Sequence, residues 1–257
     1  MAVKGVFFVL SRYRFRDLIK LVLFHPILSI RGLFGYPISD FSKNEIFCLL
    51  PDDPIIIEAG CADGADTLIF AQKYPSSKIV ALEPMPELFE IASARTVDYS
   101  NVSIHKLALS NESNKISTLY TSSQNKIHQS SSLFFPIDHK KYHPEIEFDR
   151  EVLVKTISLE DLLDFNGLQS VDLLWLDLQG YELLVLEGAS LAAAGGGVLK
   201  RVKYIHTEIS RIPLYEGAPT FEQLRDFLIL NEFKLIKLRM PLVTGNAIFA
   251  NTRMDNK

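Results

Sequence analysis

Three carboxylates stand where runs of apolar residues stop: Glu58 after Ile55–Ile57, Glu83 after residues 78–82, and Asp177 after residues 173–176. Runs of this kind read as buried strands, and an acid at the carboxyl end of a buried strand faces whatever ligand sits beyond it. Glu58 is followed by Ala59, Gly60, Cys61, Ala62, Asp63 and Gly64, and an apolar helical pattern begins at about Ala65. A strand that passes through a glycine turn into a helix start makes a site for a nucleotide-like cofactor. Glycine lets backbone approach the ligand, and the helix N-terminus offers free N–H groups to an anion.

A dinucleotide fingerprint needs G-x-G-x-x-G. Here Cys61 and Ala62 follow Gly60, so the second glycine is missing and a pyrophosphate cannot come as close. The pattern acid-x-G-x-x-x-G suits S-adenosylmethionine, whose one anionic group is a carboxylate. Glu83, followed by Pro84, suits a ribose diol, because one carboxylate accepts two hydrogen bonds. Nicotinamide enzymes share that acid, so the glycine spacing is what separates the two cofactors. Cys61 fills a position that needs a small residue. Asp63 and Thr67 fall at the helix start, where each can cap backbone N–H groups or reach the cofactor.

Asp177 precedes Gln179-Gly180 and lies beside the crevice at the end of a central strand. Three roles fit it: facing a sulfonium, binding an amino group, or taking a proton from a substrate hydroxyl. A turn-capping Asp is the plainer reading. Glu182 sits in the following first helical turn, where an acid also suits the helix dipole. His206 and Glu208 are two apart on a later strand and so share a face. With Asp177 they form a candidate cluster, supplying a general base or ligands for a divalent metal such as Mg²⁺. Spacing alone does not make a metal site, and a lone His is more often a hydrogen-bonded core residue.

These residues need a scaffold. Strands are expected at about 54–59, 78–83, 102–108, 151–157, 171–177, 202–209, 233–239 and 245–250, and helices near 64–74, 86–97, 158–165, 181–190 and 219–231. Alternating strands and helices imply right-handed βαβ units and an α/β fold around a mostly parallel sheet, with helices on both faces. The last two strands lack a helix between them, which suits a hairpin that adds an antiparallel last strand. Residues 110–150 interrupt the alternation with Ser, Asn, Lys and His around Phe134-Phe135-Pro136. So long a polar segment reads as a lid or substrate loop over the cofactor, or as a surface insertion. His128, His139 and His143 lie in it, facing substrate or solvent. Ala192 to Gly197 reads as a loop without chemistry.

The chain has 257 residues, enough for one α/β domain with decorations. The expected division is a basic, apolar helical arm over 1–50 and a catalytic domain over 51–257. A net charge of −4 argues against a general nucleic-acid binder. Two cysteines, Cys48 and Cys61, make no disulfide framework, and a reducing cytoplasm is the default. Residues 1–35 carry six basic side chains against Asp17, a net of +5 that leaves −9 for the remainder. Their apolar runs fall short of the ~18–20 residues that span a bilayer, and no signal-peptide cleavage site follows them. Such a segment suits a helix lying on an anionic membrane surface at the inner face, or one packed on the core or on a second subunit of a homodimer.

Taken together the motifs resemble the FkbM-type methyltransferases. The matching pieces occur in order: Ile57 to Gly64; Leu82-Glu83-Pro84-Met85-Pro86; Ala108-Leu109-Ser110; Val154 to Leu163; Trp175 to Glu182 with Leu186-Glu187-Gly188-Ala189; His206-Thr207-Glu208; and Asn246-Ala247-Ile248-Phe249. The likeness spans about Asp53 to Asn251. It implies a Rossmann-like class I fold with a seven-stranded sheet, and an S-adenosylmethionine-dependent O-methyltransferase. It implies that Glu58, Gly60 and Gly64 line the methionine end of the cofactor, that Glu83 holds the ribose, and that Ala108 and Leu109 border the adenine. Departures are Glu58 for the commoner Asp, Gln179 where many members have Glu, and Asn246 where Asp is frequent. The expected acceptor is a hydroxyl of a sugar, glycolipid or natural product. The alternatives are a nicotinamide oxidoreductase and a non-catalytic protein that binds S-adenosylmethionine.

Overall fold

The computed structural model describes residues 43–122, 130–137, 146–191, 197–240 and 243–254. A short helix α1 (Lys43–Phe47) leads into β1 (Ile55–Ala59), α2 (Ala65–Lys73), β2 (Lys78–Leu82), α3 (Pro86–Arg95) and β3 (Val102–His105). Next come β4 (Ala108–Ser110), β5 (Ile116–Thr121), β6 (Arg150–Ser158), α4 (Leu159–Phe165), β7 (Val171–Leu176) and α5 (Glu182–Leu191). The chain closes with β8 (Val202–Ser210), α6 (Phe221–Leu230), β9 (Phe233–Arg239) and β10 (Thr244–Asn251).

Seven strands form the main sheet in the order β3-β2-β1-β7-β8-β10-β9. Neighbours from β3 to β8 are parallel, and β10 runs antiparallel to both β8 and β9. This is the Rossmann-like α/β arrangement expected from the sequence, including the antiparallel last strand. Successive residues of the apolar runs feed opposite faces. Ile56, Ile79, Leu173 and Ile248 pack with Ile46 of α1 and Phe70 of α2. Ile57, Val80, Leu174 and Phe249 pack with Leu162 of α4, Leu186 of α5 and Leu224 of α6. Each such side chain contributes roughly 1.5–3 kcal/mol on burial. The chain leaves β1 toward β2 and later returns to its other side as β7, so a crevice opens between the carboxyl ends of β1 and β7.

The sequence and the structure differ in two places. The expected strand 102–108 is two strands: β3 stays in the main sheet, and β4 joins a smaller sheet in the order β4-β6-β5. The strand β5 lies inside the segment read as a polar insertion. Its inward positions Leu119 and Thr121 are buried while Ile116 is exposed, so its pattern is too mixed to read as an apolar run. The first described residues, α1, lie against the sheet: Ile46 is buried, and the Phe47 ring meets Phe70 and Tyr74 edge-on. Residues 1–35 and His128, His139 and His143 fall outside the described residues, as does most of the Ala192 to Gly197 stretch. Among the described residues no helix is long and apolar enough to cross a membrane.

Candidate active site

The turn after β1 is held by backbone bonds. Gly60 N and Cys61 N both donate to Leu82 O at 3.0 Å, and Asp177 N donates to Ala59 O at 3.1 Å. Gly60 has φ +83°, and a Cβ there would overlap the Asp177 carbonyl oxygen. Gly64 has φ +74°, and its Cβ would meet the Ala92 Cβ of α3 at 2.9 Å. Each glycine is therefore required by close approach of one chain segment to another. Gly60 brings the β1 turn onto the end of β7, and Gly64 seats α2 against α3.

A cavity of about 480 Å³ lies at the carboxyl ends of β1, β2, β7 and β8. Of the residues singled out from the sequence, Glu58, Gly60, Cys61, Asp63, Glu83, Pro84, Ala108, Leu109, Asp177 and Glu208 line it. Gly64, Thr67 and His206 are not part of that lining. Thr67 is neither a helix cap nor a cavity residue; its hydroxyl donates to Glu58 Oε2 at 2.6 Å. Gly64 holds the cap position, and Asp63 just before it accepts from Ala65 N at 3.1 Å and pairs with Arg95 at 2.7 Å. The Cys61 thiol is buried, and burial pushes its pKa up, so it is an inert packing group.

Glu58 is only 2% exposed, and burial pushes its carboxyl up to about 8 against the opposing Thr67 hydrogen bond. Glu83 is raised to about 7 by burial; its two oxygens accept from Met85 N at 2.8 Å and Ala62 N at 2.9 Å, which pull the other way. Those bonds fix the carboxylate at the cavity edge, and each oxygen keeps a lone pair. Glu182 is raised to about 7 by burial and accepts from Leu178 N at 2.8 Å, bracing the turn that carries Asp177.

Asp177 and Glu208 come together through Gln179. The Gln179 Nε2 lies 2.8 Å from Asp177 Oδ1 and 2.8 Å from Glu208 Oε2. His206 does not join them. It is 2% exposed, stacks on Trp175 with ring centroids 3.7 Å apart, and burial lowers its pKa to about 3. The two-residue offset puts His206 roughly 6.6 Å back along the strand, inside the sheet and behind the crevice. The candidate trio of Asp177, His206 and Glu208 is thus a pair, and His206 is a neutral core imidazole. Among the described residues no group of three or more His, Cys, Asp or Glu is placed to hold a metal.

Residues that the sequence reading passed over complete the site. Ser130, Ser131 and Leu133, from the segment read as a lid or substrate loop or as a surface insertion, line the cavity, and so does Tyr215. The Tyr215 hydroxyl donates to Ser130 O at 2.9 Å across 85 positions of chain. Only its place after the end of a central strand hinted at this, since loops there build the crevice. Trp175, the single tryptophan, lines the cavity two residues before Asp177.

The lining fits S-adenosylmethionine. Ala108, Leu109 and Leu119 offer an apolar wall for an adenine, and Glu83 offers oxygens for ribose hydroxyls. Glu58 and Asp177 suit a molecule that carries a sulfonium and an ammonium. A nicotinamide dinucleotide fits less well, because the turn lacks the second glycine that lets a pyrophosphate approach the backbone.

Comparison with known proteins agrees. The methyltransferase FkbM domain matches residues 58–235. The chain is 28% identical over 205 residues to 2-O-methyltransferase NoeI of Sinorhizobium fredii, covering 79% of this chain and 81% of that protein. It is 32% identical over 174 residues to Methyltransferase 1 of Beauveria bassiana, covering 58% and 66%. A solved S-adenosylmethionine-dependent methyltransferase from Aquifex aeolicus aligns with a TM-score of 0.42 at 12% identity, covering 82% of this chain and 90% of that one. With the family domain matched across the glycine turn, both strand-end acids and the Asp177 block, the chain belongs to the FkbM methyltransferase family and is an S-adenosylmethionine-dependent methyltransferase.

Proposed function

We propose that the enzyme methylates a hydroxyl oxygen of a sugar, glycolipid or natural-product acceptor, with Asp177 as the proton acceptor and Glu208 beside it. The observation that carries this reading is the pair of carboxylates from adjacent strand ends, held by one amide at the mouth of the cofactor crevice. The relative named a 2-O-methyltransferase supports oxygen as the receiving atom.

S-adenosylmethionine, when bound, supplies an electrophilic methyl carbon. The protein's part is alignment and proton removal. Glu58 would face the cationic end of the cofactor, Glu83 would hold the ribose hydroxyls, and Ala108 and Leu109 would border the adenine. Asp177 or Glu208 receives the hydroxyl proton as the oxygen attacks, a role worth about 10²–10⁴-fold in rate. Ser130, Ser131 and Tyr215 wall the acceptor side and help exclude water. The basic segment 1–35 would hold the enzyme near an anionic membrane face. Deleting it and finding membrane association unchanged would remove that part of the reading.

The test is methyl transfer from labelled S-adenosylmethionine to neutral oligosaccharides and glycolipids, with the product bond located by mass spectrometry. A new methyl ether that is lost with Asp177→Asn supports the assignment. Methylation at nitrogen or carbon, or full activity in Asp177→Asn, refutes it.

A further inference from the structure

We propose that Gln179 is a positioning residue that ties Asp177, Glu208 and the cavity wall at Ser130–Leu133 into one hydrogen-bonded unit; the inference builds on the methyltransferase reading of the site. Gln179 has φ +52°, a backbone conformation that a residue with a side chain rarely adopts. Strain of this kind persists only where the surroundings fix it, and it gathers at functional sites.

The polar contacts of Gln179 are directed at the site. Its amide nitrogen carries two hydrogens, and the two carboxylates lie one on each side at 2.8 Å. The single Tyr215 hydroxyl proton is shared between Ser130 O at 2.9 Å and the Gln179 amide oxygen at 3.2 Å. Its backbone oxygen accepts from Ser132 Oγ at 2.9 Å, and Ser132 Oγ in turn accepts from Phe134 N at 3.1 Å. Ser132 also exchanges backbone bonds with Tyr120 of β5. One residue therefore spans from the two acids to the wall that faces the acceptor. Glutamate in its place would lack both donors and set a third charge beside Asp177 and Glu208. Leucine would fill the space and remove every side-chain bond, leaving only the main-chain bond from Ser132.

The functional consequence is coupling. A shift of the wall on acceptor entry moves Gln179, and with it the carboxylate that takes the proton. The acids are held in register with the acceptor wall rather than with the sheet alone.

Hydrogen exchange of a peptide covering residues 130–137 tests this, in the full chain, with and without S-adenosylhomocysteine. Trp175 fluorescence reports binding of that probe separately. In Gln179→Leu the peptide should exchange at least tenfold faster, while peptides from β1 and β7 keep their wild-type rates. In Gln179→Glu exchange should be equally fast at neutral pH and should slow on acidification, after correction for the intrinsic pH dependence, as the new carboxyl gains a proton to donate. Ser132→Ala should loosen the same peptide without changing the protein's affinity for S-adenosylhomocysteine. Unchanged exchange of 130–137 in both Gln179 variants overturns the proposal, and so does loosening spread equally over the whole sheet. If wild type fails to bind S-adenosylhomocysteine, the cofactor reading fails, and the exchange comparison still decides the role of Gln179.

Discussion

Replacing Glu58 with glutamine should stabilise the free protein and weaken the enzyme. Glu58 is buried at the end of β1 and its carboxyl is raised from 4.5 to about 8. A group whose folded pKa is raised contributes stability that is fully present below its unfolded value and is lost as pH rises through the folded value. For Glu58 that window runs from pH 4.5 to about 8. Each unit is worth about 1.4 kcal/mol, so between pH 6 and 8 the wild type loses about 2–3 kcal/mol through this residue. The amide of Glu58→Gln cannot titrate, yet it still offers an oxygen to the Thr67 hydroxyl. For a chain of this size the difference is roughly 5–10 °C in Tm. Thermal melts of both proteins at pH 6 and 8 measure it. Glu83 and Glu182, which burial raises to about 7, are kept in the variant, so the comparison isolates position 58. The variant should gain on the wild type as pH rises, while its affinity for S-adenosylmethionine falls roughly ten- to hundredfold with loss of a charged partner. Parallel pH dependence of the two melting curves would refute the reasoning, as would unchanged affinity.

Other expectations follow from the same geometry. Gly60→Ala should cost about 2–4 kcal/mol and abolish tight cofactor binding, since its Cβ displaces the Asp177 backbone. Gly64→Ala should cost a similar amount yet leave the affinity of the folded fraction near wild type; melts and calorimetry separate the two. Affinity for S-adenosylmethionine should rise with pH through about 7 to 8, as Glu83 and Glu58 ionise in favour of a cation, with proton release visible in buffers of different ionisation enthalpy. His206→Phe should keep the stack on Trp175 and leave the pH profile of methyl transfer unchanged, within about twofold in rate; loss of the acidic limb, where a general base becomes protonated, would restore His206 as the base.

The parts of the fold legible in sequence were those written in contiguous patterns. The runs at Ile55–Ile57 and 173–176 are buried on both sides, and the acids that end them mark the crevice. Asp177 was placed correctly because strand ends and crevice coincide in a parallel sheet. His206 was misplaced toward the site because period-two reasoning gives the face of a strand and not the depth along it. β5 was missed because its only large apolar residues, Ile116 and Leu119, do not alternate with period two, and its other positions are polar or half-buried. Gln179 was read as a lost acid. Its value as a donor appears only when Glu208, 29 positions later, and Tyr215, 36 positions later, are brought against it. Gly60 and Gly64 were recognised as necessary, and the close approach of Asp177 and Ala92 requires them in the protein by itself.

The most direct measurement is a calorimetric titration of S-adenosylhomocysteine and S-adenosylmethionine into wild type and Glu83→Ala, with NADH as the control. Saturable binding of both sulfur ligands, weakened severalfold or more in Glu83→Ala and absent for NADH, is the predicted result. Binding of NADH in place of the sulfur ligands, or equal affinity in Glu83→Ala, would contradict the assignment of this cavity.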